Sequence, residues 1–439
     1  MRWRRVLLAV FAVVLAAVAG ALIYARPLLM TGTGYAAHNA CAVRFVAGRG
    51  PDAPAADLPD NPLVPFLRTS VSTENATATT SVLGVLFRQT AHYTRGSGCT
   101  LAPERPAQAA TTVTSGRDLP TAAAAAGAAV ATAVDAAFGE HERATALNTR
   151  AVVVVHRGTV IAERYGAGFT AQTPQLGWSM AKSVTGLMAG RLVQQGKIAL
   201  DDDHLRPEWT DGRAAITVDQ MLRMSTGLRW DETYDLGTPI TRMLYLNRDM
   251  GGYAASLPAA HTPGSYQQYS SGTTNILCQV LQQRSGLGAD LGTRLVFEPL
   301  GMSSAVWEAD AAGHPVCSSY LWATPRDWAK IGQWALQGGQ WNGEQLLPGD
   351  WMRYSTTAVA MAGEEDGYGA HWWVNRRPDG SLVYPAMPAD TYWAAGHDGQ
   401  RVIVVPSAGL VVVRMGFTPA DVDLGVDRLV ADLVTALRT

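Results

Sequence analysis

The chain opens on an uninterrupted apolar run, with no charged residue from Val6 to Ala25, and Arg2, Arg4 and Arg5 standing before it. At about 1.5 Å of rise per residue, a helix of that length crosses a hydrocarbon core of roughly 30 Å. The pattern predicts an N-terminal transmembrane helix within residues 1–30, its arginines holding the N-terminus in the cytoplasm. The alternative is a signal segment removed after export. Both place the rest of the chain outside the cytoplasm, in the periplasm or at the cell surface. Farther along the period changes. Residues 69–93 carry β-branched side chains in broken alternation, which predicts short strands. Residues 121–138 are alanine-rich and favour helix. Residues 151–156 and 159–165 read as two strands turning at Arg157-Gly158. Helical spacing runs over 179–195 and stops at Gly196. It returns over 218–224, 273–284 and 327–336. Strand patterns resume at 392–395, 401–405 and 410–415, with Pro406 and Gly409 marking a turn, and a last helix is expected over 422–437.

Strands at the two ends of the main unit with helices between them predict an α/β (α+β) fold. The sheet is expected to be largely antiparallel, because sequential strands are joined by short turns. The helical middle would form a second lobe, with a cleft between the two. Three segments result: an anchor or signal over 1–30, a small extracytoplasmic region over 31–115, and a main unit over 116–439 whose patterned part begins near Leu119. The middle segment is rich in Pro, Ala, Ser and Thr and contains nothing that reads as catalytic.

The 439 residues include 47% hydrophobic and 16% charged positions, enough apolar material for a large core and far from a disordered composition. With 35 basic against 37 acidic side chains, no electrostatic case for nucleic acid arises. Four cysteines allow three pairings. In an oxidising compartment the simplest is pairing within regions, Cys41 with Cys99 and Cys278 with Cys317; the other reading of Cys278 is a small buried hydrophobe. No cysteine or histidine cluster points to a metal.

Lysine occurs only at Lys182, Lys197 and Lys330. Only Lys182 has a serine three residues before it, in Gly177-Trp178-Ser179-Met180-Ala181-Lys182-Ser183. A serine at a helix start presents its hydroxyl beside unpaired N–H groups. A lysine three residues on shares its helix face, and a desolvated lysine can lose its proton and activate the alcohol. Downstream stand Tyr269-Ser270-Ser271-Gly272, before a helix, and Gly396-His397-Asp398-Gly399-Gln400, before a strand.

These three segments, in this order, resemble the motifs of the penicillin-recognising serine hydrolases. That superfamily includes class C β-lactamases, DD-peptidases, related esterases and the 6-aminohexanoate-dimer hydrolases. Leu222-Arg223-Met224-Ser225-Thr226-Gly227-Leu228 and Arg326-Asp327-Trp328 are similar to stretches of the last branch. The resemblance covers the chain from about Leu119 onward. It implies a serine β-lactamase/transpeptidase-like fold, with Ser179 as nucleophile and Lys182 and Tyr269 as its proton-handling partners. It further implies an oxyanion hole from the N–H groups of Ser179 and Gln400, and a pocket shaped by Ser271, His397 and Gly399. No cofactor is called for. Where many β-lactamases present a lysine to the substrate carboxylate, this chain has His397, and Ser271 replaces an amide. Both differences favour an uncharged ester or small amide as substrate over an acidic β-lactam. Alternatives are a β-lactamase or DD-peptidase, a non-catalytic binding or sensing protein, and a Ser-His-Asp hydrolase built from Ser179, His397 and Asp398. Trp178, Trp372, Trp373 and Trp393 are expected in the core more than in the pocket.

Overall fold

The computed structural model describes residues 2–59, 61–107, 110–124, 127–363 and 367–438. Helix α1, Arg2–Phe45, does not end near residue 30; it continues through Pro27 as one element. Its two halves have different surroundings. Residues 6–17 are exposed and apolar, part of a stretch of the helix that is long and hydrophobic enough to cross a membrane. From Thr31 onward, small residues such as Ala36, Ala37, Ala40 and Ala42 are buried. What they are buried against is a four-stranded antiparallel sheet of β1 (Leu67–Ser72), β2 (Thr77–Val82), β3 (Leu86–Thr94) and β4 (Gly98–Leu101). The alanine stripe lets the sheet approach the helix closely, and this packing, absent from any local signal, extends the helix. The Cys41–Cys99 disulfide joins α1 to β4.

The main unit is built as its strand pattern requires. A six-stranded sheet takes β5 (Thr149–His156) and β6 (Thr159–Tyr165) from one end of the unit. It takes β7 (Trp373–Val374), β8 (Tyr392–Gly396), β9 (Gln400–Val405) and β10 (Leu410–Gly416) from the other. The order is β7-β8-β9-β10-β5-β6, with every neighbour antiparallel. In β5 the valines alternate between faces, as a strand of period two must. Val153 and Val155 join one core with Met188, Trp328 and Trp334. Val152 and Val154 join a second core with Val130 and Leu433. The first contains α3 (Met180–Gln194) and α5 (Pro325–Leu336), with α4 (Ser271–Ser285) deeper in the helical lobe. The second contains α2 (Ala128–Ala136) and α6 (Val426–Ala436).

Two helix starts differ from the sequence expectation. The helix in the alanine-rich segment spans Ala128–Ala136 after Gly127, whereas alanine propensity alone would have begun it at 121; residues 121–124 are not helical, and residues 125–126 lie outside the described residues. The C-terminal helix starts at Val426, because Gly425 holds a left-handed φ of 66°. Trp178, Trp372 and Trp393 are core residues, whereas Trp373 is half-buried.

The small lobe is tied to the main unit by buried charge. His38 of α1 lies 3.0 Å from Glu308, and its ring stacks on Tyr320 at 4.1 Å. Glu308 also accepts hydrogen bonds from the Cys99 N–H at 2.7 Å and the Trp322 indole at 2.8 Å. Asp57 receives Arg49 from its own lobe and Arg150 from β5.

Candidate active site

Ser179 occupies the turn immediately before α3, whose next eleven residues, Met180 to Gly190, are buried. A helix buried on all sides shows no amphipathic stripe. Ser179 stands at the N-cap position, yet its hydroxyl caps no backbone N–H. It instead accepts a hydrogen bond of 2.8 Å from Lys182 Nζ. Trp178, one residue earlier, has a left-handed φ of 48°, so the chain turns sharply into the helix.

Lys182 is 1% exposed. Its ammonium donates to Ser179 Oγ, to Ser271 Oγ at 2.8 Å and to the Ser318 carbonyl at 3.1 Å. Burial pushes its pKa down to about 8, against the nearby charge of Glu232, 3.8 Å away, which raises it. A buried lysine with a pKa that low is readily neutral under mildly alkaline conditions and can take up a proton from a hydroxyl. The Tyr269 ring lies under the ammonium, its centroid 4.7 Å from Nζ. Trp373 and Tyr368 pack against the same ring at 5.4 and 5.7 Å. Ser179, Lys182 and Tyr269, separated by 90 residues of sequence, are therefore one cluster.

Ser271 differs from the pocket-shaping role expected of it. It is fully buried, accepts from Lys182, and donates from its hydroxyl to Glu232 Oε1 at 2.5 Å. It forms a hydrogen-bonded link between the lysine and a carboxylate. Glu232 also accepts from the Ser271 backbone N–H at 2.9 Å and from the Trp230 indole. The sequence reading missed Glu232. It follows the quoted stretch ending at Leu228, but its partner lies 39 residues away, a contact no spacing rule reveals. Two further residues were missed. The Ser318 carbonyl is held by Asn275, which accepts from the Ser318 N–H at 3.0 Å, and by the adjoining Cys278–Cys317 disulfide. His371, buried beside α3, pairs its Nδ1 with the Lys182 carbonyl at 2.8 Å. Burial and the Lys182 charge push its pKa down to about 3, so it stays neutral.

The third motif reaches the same place through two glycines. A Cβ on Gly396, at the end of β8, would fall 2.1 Å from the Gly177 carbonyl. One on Gly177 would fall 2.1 Å from the Trp328 ring. Only bare backbone allows the strand to meet the segment before Ser179. Gln400 opens β9 opposite Gly396, so its backbone is beside the nucleophile's loop. Its side chain is turned away and buried, donating to the Gly416 carbonyl at 2.6 Å. The intervening turn is fixed from beneath by Arg414, which donates to the Gly399 carbonyl at 2.8 Å. Gly399 has a φ of 82° and no room for a side chain against that guanidinium.

His397 pairs through Nδ1 with Asp398 at 2.7 Å, and Asp398 also accepts from the Trp178 indole at 3.0 Å. The His397 ring packs on Tyr234 at 4.6 Å and on Trp178 at 5.7 Å. Burial favours the neutral imidazole, but the hydrogen bond and charge of Asp398, with the charge of Glu232 behind them, raise its pKa overall. His397 is thus a lip residue locked to Asp398. The hydroxyl of Ser179 bonds to Lys182 and not to His397, which removes the geometric basis of a Ser-His-Asp arrangement. Among the described residues no group of three or more His, Cys, Asp or Glu could hold a metal ion.

The chain is similar in sequence and fold to known proteins. The beta-lactamase family model matches residues 134–434. A 6-aminohexanoate-dimer hydrolase of Paenarthrobacter ureafaciens is 24% identical over 303 residues, 62% of this chain and 73% of that protein. A candidate 6-aminohexanoate-dimer hydrolase from Bacillus anthracis superposes with a TM-score of 0.63 at 22% identity, covering 75% of this chain and 90% of its own. A family VIII carboxylesterase superposes with a TM-score of 0.54 at 16% identity, covering 71% and 99%. The chain therefore belongs to the beta-lactamase family of serine hydrolases.

Proposed function

We propose that this protein is an exported, membrane-tethered serine hydrolase that cleaves uncharged esters or small amides through an acyl-enzyme on Ser179. The observation that carries the reading is the 2.8 Å hydrogen bond from a fully buried Lys182, its pKa lowered to about 8, to the Ser179 hydroxyl. Ser179 Oγ attacks the substrate carbonyl as Lys182 and Tyr269 accept its proton. The tetrahedral oxyanion is held by the backbone N–H groups of Ser179 and Gln400, donors that in such sites lower the barrier by several kcal/mol. The proton passes to the leaving alcohol or amine, which departs. Water, activated by the same pair, then hydrolyses the acyl-Ser179 ester.

The substrate class follows from the charge at the lip. His397 is bonded to Asp398, so any positive charge on its ring is matched within the pair. The other cation of the site, Lys182, has Glu232 3.8 Å away. An acidic β-lactam finds no uncompensated cation there, whereas a neutral ester or amide needs none. The relatives named as a 6-aminohexanoate-dimer hydrolase and a family VIII carboxylesterase are in keeping with hydrolysis of an amide or an ester. The tether is the exposed apolar half of α1, and the two disulfides suit an oxidising compartment. Hydrolysis of a short-chain p-nitrophenyl ester by the full chain, beside Ser179→Ala, tests the reading. Turnover lost in the variant is expected; equal turnover by both refutes it.

A further inference from the structure

One end of the small sheet carries a set of exposed apolar side chains that the catalytic reading leaves unused. Val85 is 79% exposed and Leu83 60%, with Phe66 and Leu86 exposed beside them. The register brings them together: Leu67 faces Val82, and Val82 faces Leu86, so Phe66 and the turn 83–86 share one edge of the sheet. The opposite end of the same strands is polar, turning through Ser72, Thr73, Glu74 and Asn75. Soluble surfaces rarely gather this many large apolar groups at one tip.

Contacts with α1 fix where that tip lies. Gln89 donates to the Met30 carbonyl at 2.9 Å, the Leu63 side chain covers Gly32, and Tyr93 stacks on Phe45 at 5.5 Å. Strand β3 therefore runs along α1 in the same direction, its start toward the membrane-crossing half. Leu86 precedes Gln89 by three residues, roughly 10 Å of strand. The same distance along the helix is about seven residues before Met30. That is the level of Ile23 and Tyr24, which are themselves exposed. Arg26, Arg68 and Arg88, all exposed, form the next layer. An apolar tip, a basic layer and a polar body are the sequence of environments met on leaving a phospholipid leaflet.

We propose that the 83–86 turn and Phe66 insert into the outer leaflet of the bilayer that α1 crosses, giving the domain a second point of contact and one fixed tilt on the membrane. The inference rests on reading α1 as a retained transmembrane helix. Its occupant is the phospholipid surface itself, because the tip is continuous with the apolar half of α1.

The test uses the full chain reconstituted into vesicles of phosphatidylcholine and phosphatidylglycerol. All four cysteines are in disulfides, so Phe11→Cys, Thr73→Cys and Val85→Cys each supply one thiol for an environment-sensitive fluorophore. Unchanged ester hydrolysis verifies the fold of each labelled protein. Probes at 11 and 85 are expected to emit blue-shifted and to be quenched severalfold more than the probe at 73 by lipids bearing a nitroxide on the acyl chain. Quenching at 11 with a water-like signal at 85 overturns the proposal and leaves the anchor standing. No quenching at 11 removes the anchor and the proposal together. A blue-shifted probe at 85 that lipid nitroxides do not quench means a second copy of the chain covers the tip, and also overturns it.

Discussion

Replacing Glu232 by glutamine is the sharpest probe of the proton-handling cluster. The carboxylate lies 3.8 Å from Lys182 Nζ and its side chain is 21% exposed. Two unit charges at that distance attract by about 1 kcal/mol in a water-like medium and about 4 kcal/mol at an effective dielectric of 20. At about 1.4 kcal/mol per pKa unit, Glu232 holds the lysine up by about one to three units. Burial lowers the lysine and this charge opposes it, and the two together leave the pKa at about 8. In Glu232→Gln the opposition is gone and the lysine pKa falls. The base works neutral, so kcat/KM rises with pH through the lysine pKa. The midpoint of that rise is expected near about 8 in the wild type and at least about one unit lower in the variant. The plateau also drops, on the order of tenfold: the glutamine carbonyl takes the place of Oε2, to which the Ser271 N–H and the Trp230 indole both donate, and its NH₂ then faces the Ser271 hydroxyl, which loses its acceptor and meets donors from both the amide and Lys182. The assay is p-nitrophenyl ester hydrolysis read at the nitrophenol isosbestic wavelength, with the Ser179→Ala rate subtracted at each pH. An unmoved rise, or one moved to higher pH, refutes the assignment of Lys182 as the base that Glu232 tunes.

Gly396→Ala sets a methyl 2.1 Å from the Gly177 carbonyl; ester hydrolysis should fall by at least about a hundredfold, since misplacing the oxyanion donors costs several kcal/mol, which a kcat measurement on folded variant checks. Removing the second disulfide as Cys278→Ala with Cys317→Ala opens a loop of 39 residues, costing about 4 kcal/mol in the chain-entropy model; urea midpoints measure it, and kcat should fall as the Ser318 carbonyl loosens. Glu308→Ala leaves the Cys99 N–H, the Trp322 indole and His38 without their acceptor. It should lower stability by about 2–5 kcal/mol, since each buried donor left without its acceptor costs roughly 1–3 kcal/mol, as thermal unfolding would show; an unchanged melting temperature would contradict the docking of the small lobe.

The legible parts of the chain are those whose signal is local. The continuous β-branched runs in β5 and β9, the Gly196 stop after α3 and the apolar run before Arg26 needed only the local pattern of the chain and its punctuation. Ser179 and Lys182 were legible because three residues of helix place them on one face, and because lysine is rare here. The second half of α1 was not, since alanines at 36, 37, 40 and 42 acquire meaning only when the small sheet packs on them. Nor was Glu232, an acid in a loop until α4 brings Ser271 to it. Ser271 itself was read as a pocket residue from its place in the motif; its burial between Lys182 and Glu232 is a tertiary fact. The raised pKa of His397 likewise depends on the turn geometry that aims Asp398 at its Nδ1.

The central claim, an acyl-enzyme on Ser179, is tested most directly by trapping it. The full chain would be mixed with a slowly deacylating ester, quenched in acid and measured by intact mass and peptide mapping, beside Ser179→Ala. The account predicts one acyl group per chain, on the peptide that contains Ser179, and none in the variant. An acyl group on another residue, or turnover of the ester by Ser179→Ala at the wild-type rate, would contradict it.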